Sequence, residues 1–145
     1  MQRADIPELI ELGRAMHGES LYWHMNFDPG RVSAVLEMAE ISETFFCDVI
    51  VDADGKPVGG LLARLMDTFF GRDLIAHDTL FFVSSRHRAT SAPAVRQLLE
   101  RYRGWGSYRG AKRTFLATAS GIEPERTARL LDVCGFRQVG TVHEA

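Results

Sequence analysis

The run Leu80-Phe81-Phe82-Val83 constrains what this chain can fold into more than any other feature. Four consecutive large apolar residues leave no strand face for water. The stretch Leu74 to Val83 therefore reads as a central strand covered on both sides. Part of the cover lies just downstream. A helix is expected to begin near Ser91-Ala92-Pro93, with Val95, Leu98, Leu99 and Tyr102 at the i, i+3, i+4 and i+7 positions of one apolar stripe. Between strand and helix lies the polar link Ser84-Ser85-Arg86-His87-Arg88.

Upstream, Asp5-Ile6-Pro7-Glu8 has the chemistry of a helix start: an acid able to cap, a proline suited to the first turn and a second acid at the positive end of the dipole. Ile6, Leu9, Ile10 and Gly13 extend that helix to about His17. Asp28-Pro29 repeats the signal ahead of Val32, Val35, Leu36 and Ala39. Thr44 to Val51, the Asp54-Gly55 turn and Val58 to Met66 predict a β-hairpin. Thr114 to Ala119 is expected to be a short strand. Thr127, Leu130, Leu131 and Cys134 mark the inner face of a last helix that Gly135 can end in a left-handed cap. Phe136 to Val142 is the expected final strand. The order helix, helix, hairpin, strand, helix, strand, helix, strand predicts one mixed α/β domain over residues 1–145, with at least five strands.

Composition narrows the function classes. A chain of 145 residues holds one sizeable core and is too short for two domains of usual size. Cys47 and Cys134 lie in apolar runs without CxxC spacing, and His17, His24 and His77 make no metal set. A reducing cytoplasm and no structural metal are expected. No signal region or membrane-length apolar stretch is present, so secretion and membrane spanning are not expected. The net charge of −2 conceals an asymmetry. Arg86, Arg88, Arg96, Arg101, Arg103, Arg109, Lys112 and Arg113 face only Glu100 within their segment. Three readings follow: a solvated helix face, a nucleic-acid surface, or a phosphorylated small ligand at a helix N-terminus. The second usually shows more basic residues with interleaved aromatics over a whole face. The third suits the strand–Arg88–helix order, because a helix start offers unpaired N–H groups to phosphate.

Taken together, four stretches resemble the GCN5-related N-acetyltransferase (GNAT) superfamily over nearly the whole chain. They are Asp5-Ile6-Pro7-Glu8-Leu9, the Asp54-Gly55 hairpin, Leu80-Phe81-Phe82-Val83 followed five residues later by Arg88, and Arg129 through Gly135-Phe136 to Gly140. The helix–Gly-Phe–strand ending is the most specific piece, and Ser120 to Thr127 resembles a bacterial and phage-associated branch. The resemblance implies an α/β (α+β) fold whose mixed, mostly antiparallel central sheet is flanked by helices and splayed at its central strands. It also implies acetyl-CoA as cosubstrate. The family's pyrophosphate loop, Q/R-x-x-G-x-G/A, falls on Arg88-Ala89-Thr90-Ser91-Ala92-Pro93, with both glycines changed, to Ser91 and Pro93. The helix stripe that follows is displaced by about two residues, as a small insertion would produce. Phosphate contacts through Arg88, Ala89, Thr90, Ser91 and Ala92 are expected, weakened or rearranged.

The resemblance further implies direct transfer of acetyl to an amine. Phe81, Phe82 and Val83 would offer the strand edge along which the pantetheine arm lies, and a backbone N–H there would polarise the thioester carbonyl. Many relatives carry a tyrosine four residues before the Gly of Gly-Phe, to protonate the departing thiolate. Here that position is Leu131. A thiol of pKa ~8.5 leaves tolerably unaided, and Ser120 or water could substitute, whereas Cys134 reads as core. The candidate bases are Glu19 and Asp78. For Glu19 the plainer reading is a solvated helix-end carboxylate. Asp78 is an acid inside an apolar strand, which is costly unless paired or functional. Tyr22, Trp23 and Phe27 either floor an acceptor pocket or pack between helices. Three functions stay open: an N-acetyltransferase acting on a small or protein amine, a GNAT-shaped CoA-binding or interaction module with little catalysis, and nucleic-acid binding through the basic segment, which predicts affinity that falls steeply with salt. The first two imply neither nucleic acid nor membrane as partner. Met1 to Ala4 leaves little room for the family's opening strand, and a second subunit of a homodimer is one way to cover the exposed sheet edge.

Overall fold

The structure, a computed structural model, describes every residue except Thr118. Local chemistry sets the elements. A short 3₁₀ turn, Arg3–Asp5, leads into α1 (Ile6–Glu19), followed by α2 (Pro29–Ile41). The hairpin strands β1 (Phe45–Val51) and β2 (Pro57–Thr68) come next, then β3 (Gly71–Val83), α3 (Ala92–Tyr108), β4 (Arg113–Phe115) and α4 (Pro124–Val133). The Asp28 carboxylate accepts the Arg31 N–H at 3.0 Å, as a cap should. Asp5 differs from expectation: its carboxylate accepts the Gln2 N–H at 2.7 Å and closes the 3₁₀ turn, leaving α1 without a side-chain cap. At the hairpin, Asp52 Oδ1 takes the N–H groups of Asp54 and Lys56, and Gly55 sits at φ +79°.

The strands form one sheet in the order β1-β2-β3-β4, the first three antiparallel and β4 parallel to β3. Each face of the sheet is covered. On one, α3 buries Val95, Leu98, Leu99 and Tyr102 against Ile50, Val58, Leu61, Ala63 and Ala76, and α4 adds Leu131 and Cys134. On the other, Ile6 and Leu9 of α1 and Leu36 of α2 pack with Cys47 and Val49. Successive β1 residues thus serve opposite cores, as the period of a strand requires. Gly106 brings α3 down onto the sheet, since a Cβ there would meet Thr114 Oγ1 at 2.8 Å. Gly59 does the same for β2 and β3: an added Cβ would lie 2.9 Å from the Phe82 carbonyl oxygen. Gly59→Ala is therefore expected to destabilise the fold by about 1–3 kcal/mol, measurable as a lower urea midpoint with an unchanged slope.

The mixed, mostly antiparallel sheet flanked by helices is the predicted fold class. Three details differ. Phe136 to Val142 forms no strand: Phe136 packs on the core, but Val139 and Val142 are exposed and no strand pairs with the segment. Four strands are present among the described residues instead of five. The expected strand Thr114 to Ala119 is β4, Arg113–Phe115, with Thr118 of that span outside the described residues. The basic segment is partly neutralised from elsewhere. Arg101 Nε meets Asp48 Oδ2 at 2.6 Å and Arg109 meets Glu43 Oε2 at 2.8 Å.

Candidate active site

Where β3 and β4 run side by side they pair at only three positions: Ile75 with Arg113, Ala76 with Thr114 and His77 with Phe115. Beyond them the strands part. The cleft between them encloses about 180 Å³. Phe81, Phe82 and Val83 form one wall, Ala89, Ala92 and Val95 the end near α3, and Ala117, Ser120, Thr127 and Leu130 the other wall. The wall of β3 carries unused backbone. Ser84 N–H bonds the Val58 carbonyl at 2.8 Å, so by strand alternation Phe82 also points its N–H and C=O toward β2. Those of Phe81 and Val83 then face the cleft. The Val83 carbonyl accepts Arg88 Nε at 2.8 Å, which leaves the Phe81 N–H and C=O and the Val83 N–H as an open edge.

The loop after β3 departs from expectation. Thr90 and Ser91 donate their N–H groups to the His87 carbonyl at 3.1 and 3.0 Å, so neither is turned to the cleft as a phosphate donor. Ser91 also spends its hydroxyl on that carbonyl, at 2.8 Å, and caps nothing on α3. The first-turn N–H groups of Ala92 and Ala94 therefore remain at the helix start, Pro93 contributing none. No residue from Arg88 to Pro93 has positive φ, so Ser91 and Pro93 strain nothing in this loop. Arg88 braces its surroundings. Besides Val83, its guanidinium bonds Glu123 Oε1 at 3.3 Å and Glu19 Oε2, and it lies over the Phe82 ring with 5.3 Å to the centroid. One side chain ties the end of α1, the end of β3 and the start of α4 together.

Glu19, a candidate base, is thus an ion-pair partner of Arg88 and does not itself line the cleft. Glu123 is a rim residue that the sequence did not flag. It is the one non-glycine at positive φ among the described residues, at φ +41°, a conformation uncommon for such a side chain. Its hydrogen bond to Arg126, with Arg88 adding to it, lowers its pKa and holds it as a carboxylate. The α1–α2 loop docks alongside: Leu21 N–H bonds the Ser120 carbonyl at 2.9 Å, and an added Cβ on Gly121 would collide with the Leu21 side chain. Tyr22 and Trp23 on that loop are exposed, while Phe27 packs on His17 beneath Arg14.

The Asp78 side chain is buried, 6% exposed, and does not line the cleft. Its Oδ1 accepts the Ala117 N–H at 2.8 Å. Burial pushes its pKa above the ordinary carboxylate value, against the opposing pull of Ala117 N–H and His77. The folded state therefore binds this proton more tightly than the unfolded chain. The associated stability is full below the unfolded carboxyl pKa and is lost as pH rises through the folded one. Asp78→Asn keeps an oxygen for Ala117 and carries no charge. It should be at least as stable as the native protein at pH 7, with a smaller decline from acid to neutral pH in urea titrations.

Leu131 is buried in the core, packed with Cys134 beneath α3. The face of α4 that reaches the cleft is turned about the helix axis from that of Leu131, and carries Arg126, Thr127 and Leu130, with Glu123 just before the helix. Thr127 and Ser120 thus supply the cleft hydroxyls. Sequence periodicity placed Thr127 on the inner face of α4 but could not split that face between core and cleft.

Comparison with known proteins bears on the fold. No protein-family model matches the chain, and no curated protein matches it. Several solved structures do. The glucosamine-6-phosphate N-acetyltransferase of Arabidopsis thaliana superposes with TM-score 0.73 at 15% identity, covering 100% of this chain and 93% of that one. An aminoglycoside acetyltransferase from an uncultured soil metagenomic sample, HMB0005, gives 0.68 at 21% identity over 100% and 93%. The enzyme AAC(6')-Iy, in complex with the bisubstrate analog CoA-S-monomethyl-acetylneamine, gives 0.68 at 18% over 94% and 89%. The chain has the fold of these acetyltransferases.

Proposed function

We propose that residues 1–145 form one acyltransferase domain that moves acetyl from acetyl-CoA to a primary amine of a small molecule or a protein. The parting of β3 from β4 carries the reading, because it leaves an unpaired backbone edge inside a cleft that ends at a helix start. That edge fits an extended amide chain. The Phe81 N–H and C=O and the Val83 N–H would hold the pantetheine arm as an added strand, and the start of α3 at Ala92 and Ala94 would face the diphosphate. When bound, acetyl-CoA supplies an acyl carbon activated by a thiol leaving group.

The chain's own groups have limited tasks. A cleft-facing N–H of β3 polarises the carbonyl oxygen. The Thr127 or Ser120 hydroxyl lies within the same cleft and can donate to the departing sulfur. Glu19 and Glu123 are held in ion pairs with Arg88 and Arg126, so the acceptor amine would lose its proton through water. Exposed Tyr22 and Trp23 border the side from which an acceptor would come. No helix among the described residues is long and apolar enough to cross a membrane, and a cytoplasmic location suits the free cysteines.

A second reading, a CoA-binding module with weak or no catalysis, is favoured by Leu131 in the core and by the spent N–H groups of Thr90 and Ser91. Thiol release from acetyl-CoA over a panel of small amines and lysine peptides separates the two. The enzyme gives release that depends on the amine. A raised melting temperature with acetyl-CoA but no release on any amine leaves the binding module, and neither effect rejects both.

A further inference from the structure

Asp78 sits where two breaks in the sheet coincide. Against β2, the register of β3 shifts between Leu80, opposite Leu62, and Asp78, opposite Ala63, so Thr79 is an extra residue that bulges out. Against β4, pairing stops one residue earlier, at His77. Continued in register, the ladder would place Asp78 beside Leu116 and Thr79 beside Ala117. Side chains take those bonds instead. The Ala117 N–H goes to Asp78 Oδ1 at 2.8 Å, and the Asp78 carbonyl accepts from the ring of its neighbour, His77 Nδ1, at 2.8 Å. A carbonyl can only accept, so Nδ1 carries the proton. Both strands have therefore spent, on side chains, the backbone groups that would extend their pairing.

We propose that Asp78 is a positioning residue whose carboxylate, by holding the Ala117 N–H, keeps β4 from zipping along β3 and so keeps the cleft open. The inference rests on the acetyl-CoA reading only for what the cleft receives. Asp78 neither touches the cleft nor needs to exchange a proton for this role. An apolar residue here would leave Ala117 seeking a β3 carbonyl, and the strands would close over the edge at Phe81 and Val83.

In the native chain, NMR should detect a coupling across the hydrogen bond from the Ala117 nitrogen to the Asp78 side-chain carboxyl carbon. Coupling to a β3 backbone carbonyl would overturn the proposal without any variant. Asp78→Ala should show new cross-strand contacts between Thr79 and Ala117, and acetyl-CoA affinity should fall at least about tenfold. Asp78→Asn should keep the strands apart and keep the affinity, a rescue that a carboxylate acting as base would not give to turnover. Asp78→Ala with unaltered strand contacts and native affinity would refute the role. If the native chain shows the coupling but binds no acetyl-CoA, the positioning role stands and the proposed function falls.

Discussion

Replacing Tyr102 by alanine is expected to lower the free energy of unfolding by about 3–5 kcal/mol, well beyond the worth of any surface ion pair. Tyr102 has no exposed surface. Its ring lies 5.4 Å from that of Phe46 and stacks toward Trp105 at 6.2 Å, and its hydroxyl donates to the Phe115 carbonyl at 2.9 Å. That carbonyl closes the short strand β4, one residue before the chain turns away from β3. Alanine would open a cavity under α3 and orphan the carbonyl together. Phenylalanine separates the two effects, because it keeps the packing and removes only the donor, at a cost of about 1–3 kcal/mol. Urea denaturation of both variants checks this. A Tyr102→Phe variant as stable as the native chain would mean that β4 is not anchored through this hydroxyl.

The second large effect belongs to Arg88. Its side chain is 14% exposed and makes three separate bonds, to Val83, Glu19 and Glu123. Arg88→Met keeps the stem over Phe82 and deletes the fork. Glu19 and Glu123 are a third or more exposed, so water screens much of the ionic loss, and about 1–2 kcal/mol of stability is expected to go. The functional loss is expected to exceed this. With α1, β3 and α4 untied, the rim opens, and acetyl-CoA affinity should drop at least about tenfold. Arg88→Lys restores one charge but not the planar fork, so it should recover less than half of the lost melting temperature. Thermal unfolding and calorimetric titration of both variants read these outcomes. A lysine variant equal to the native chain would show that charge alone matters and that the brace does not.

Much of this architecture is written in short-range patterns. Asp28-Pro29 starts α2 as expected, Asp54-Gly55 turns the hairpin, and Gly135 ends α4 at φ +82°. The apolar density of Leu80 to Val83 also announced a buried strand, and Phe82 and Val83 are buried. Those signals live within a few residues of each other. Phe136 to Val142 failed for the opposite reason. Its β-branched residues suit a strand, but strand formation depends on a partner edge, and none pairs with it. The site was legible to the same limit. Phe81, Phe82, Val83, Ala89 and Ala92 do line one cleft, and Arg88 lies on it, because they belong to one strand, loop and helix start. The roles of Arg88 and Glu19 were hidden, since their pairing joins residues 69 positions apart. The bond from Ala117 to Asp78, 39 positions apart, was hidden too.

Chemical-shift mapping of the native chain during titration with acetyl-CoA tests the central claim most directly. Saturable shifts confined to the amides of Phe81, Val83, Ala92, Ala94 and the cleft-facing turn of α4 are predicted. Spectra that stay unchanged at millimolar ligand, or shifts gathered elsewhere on the molecule, would contradict it.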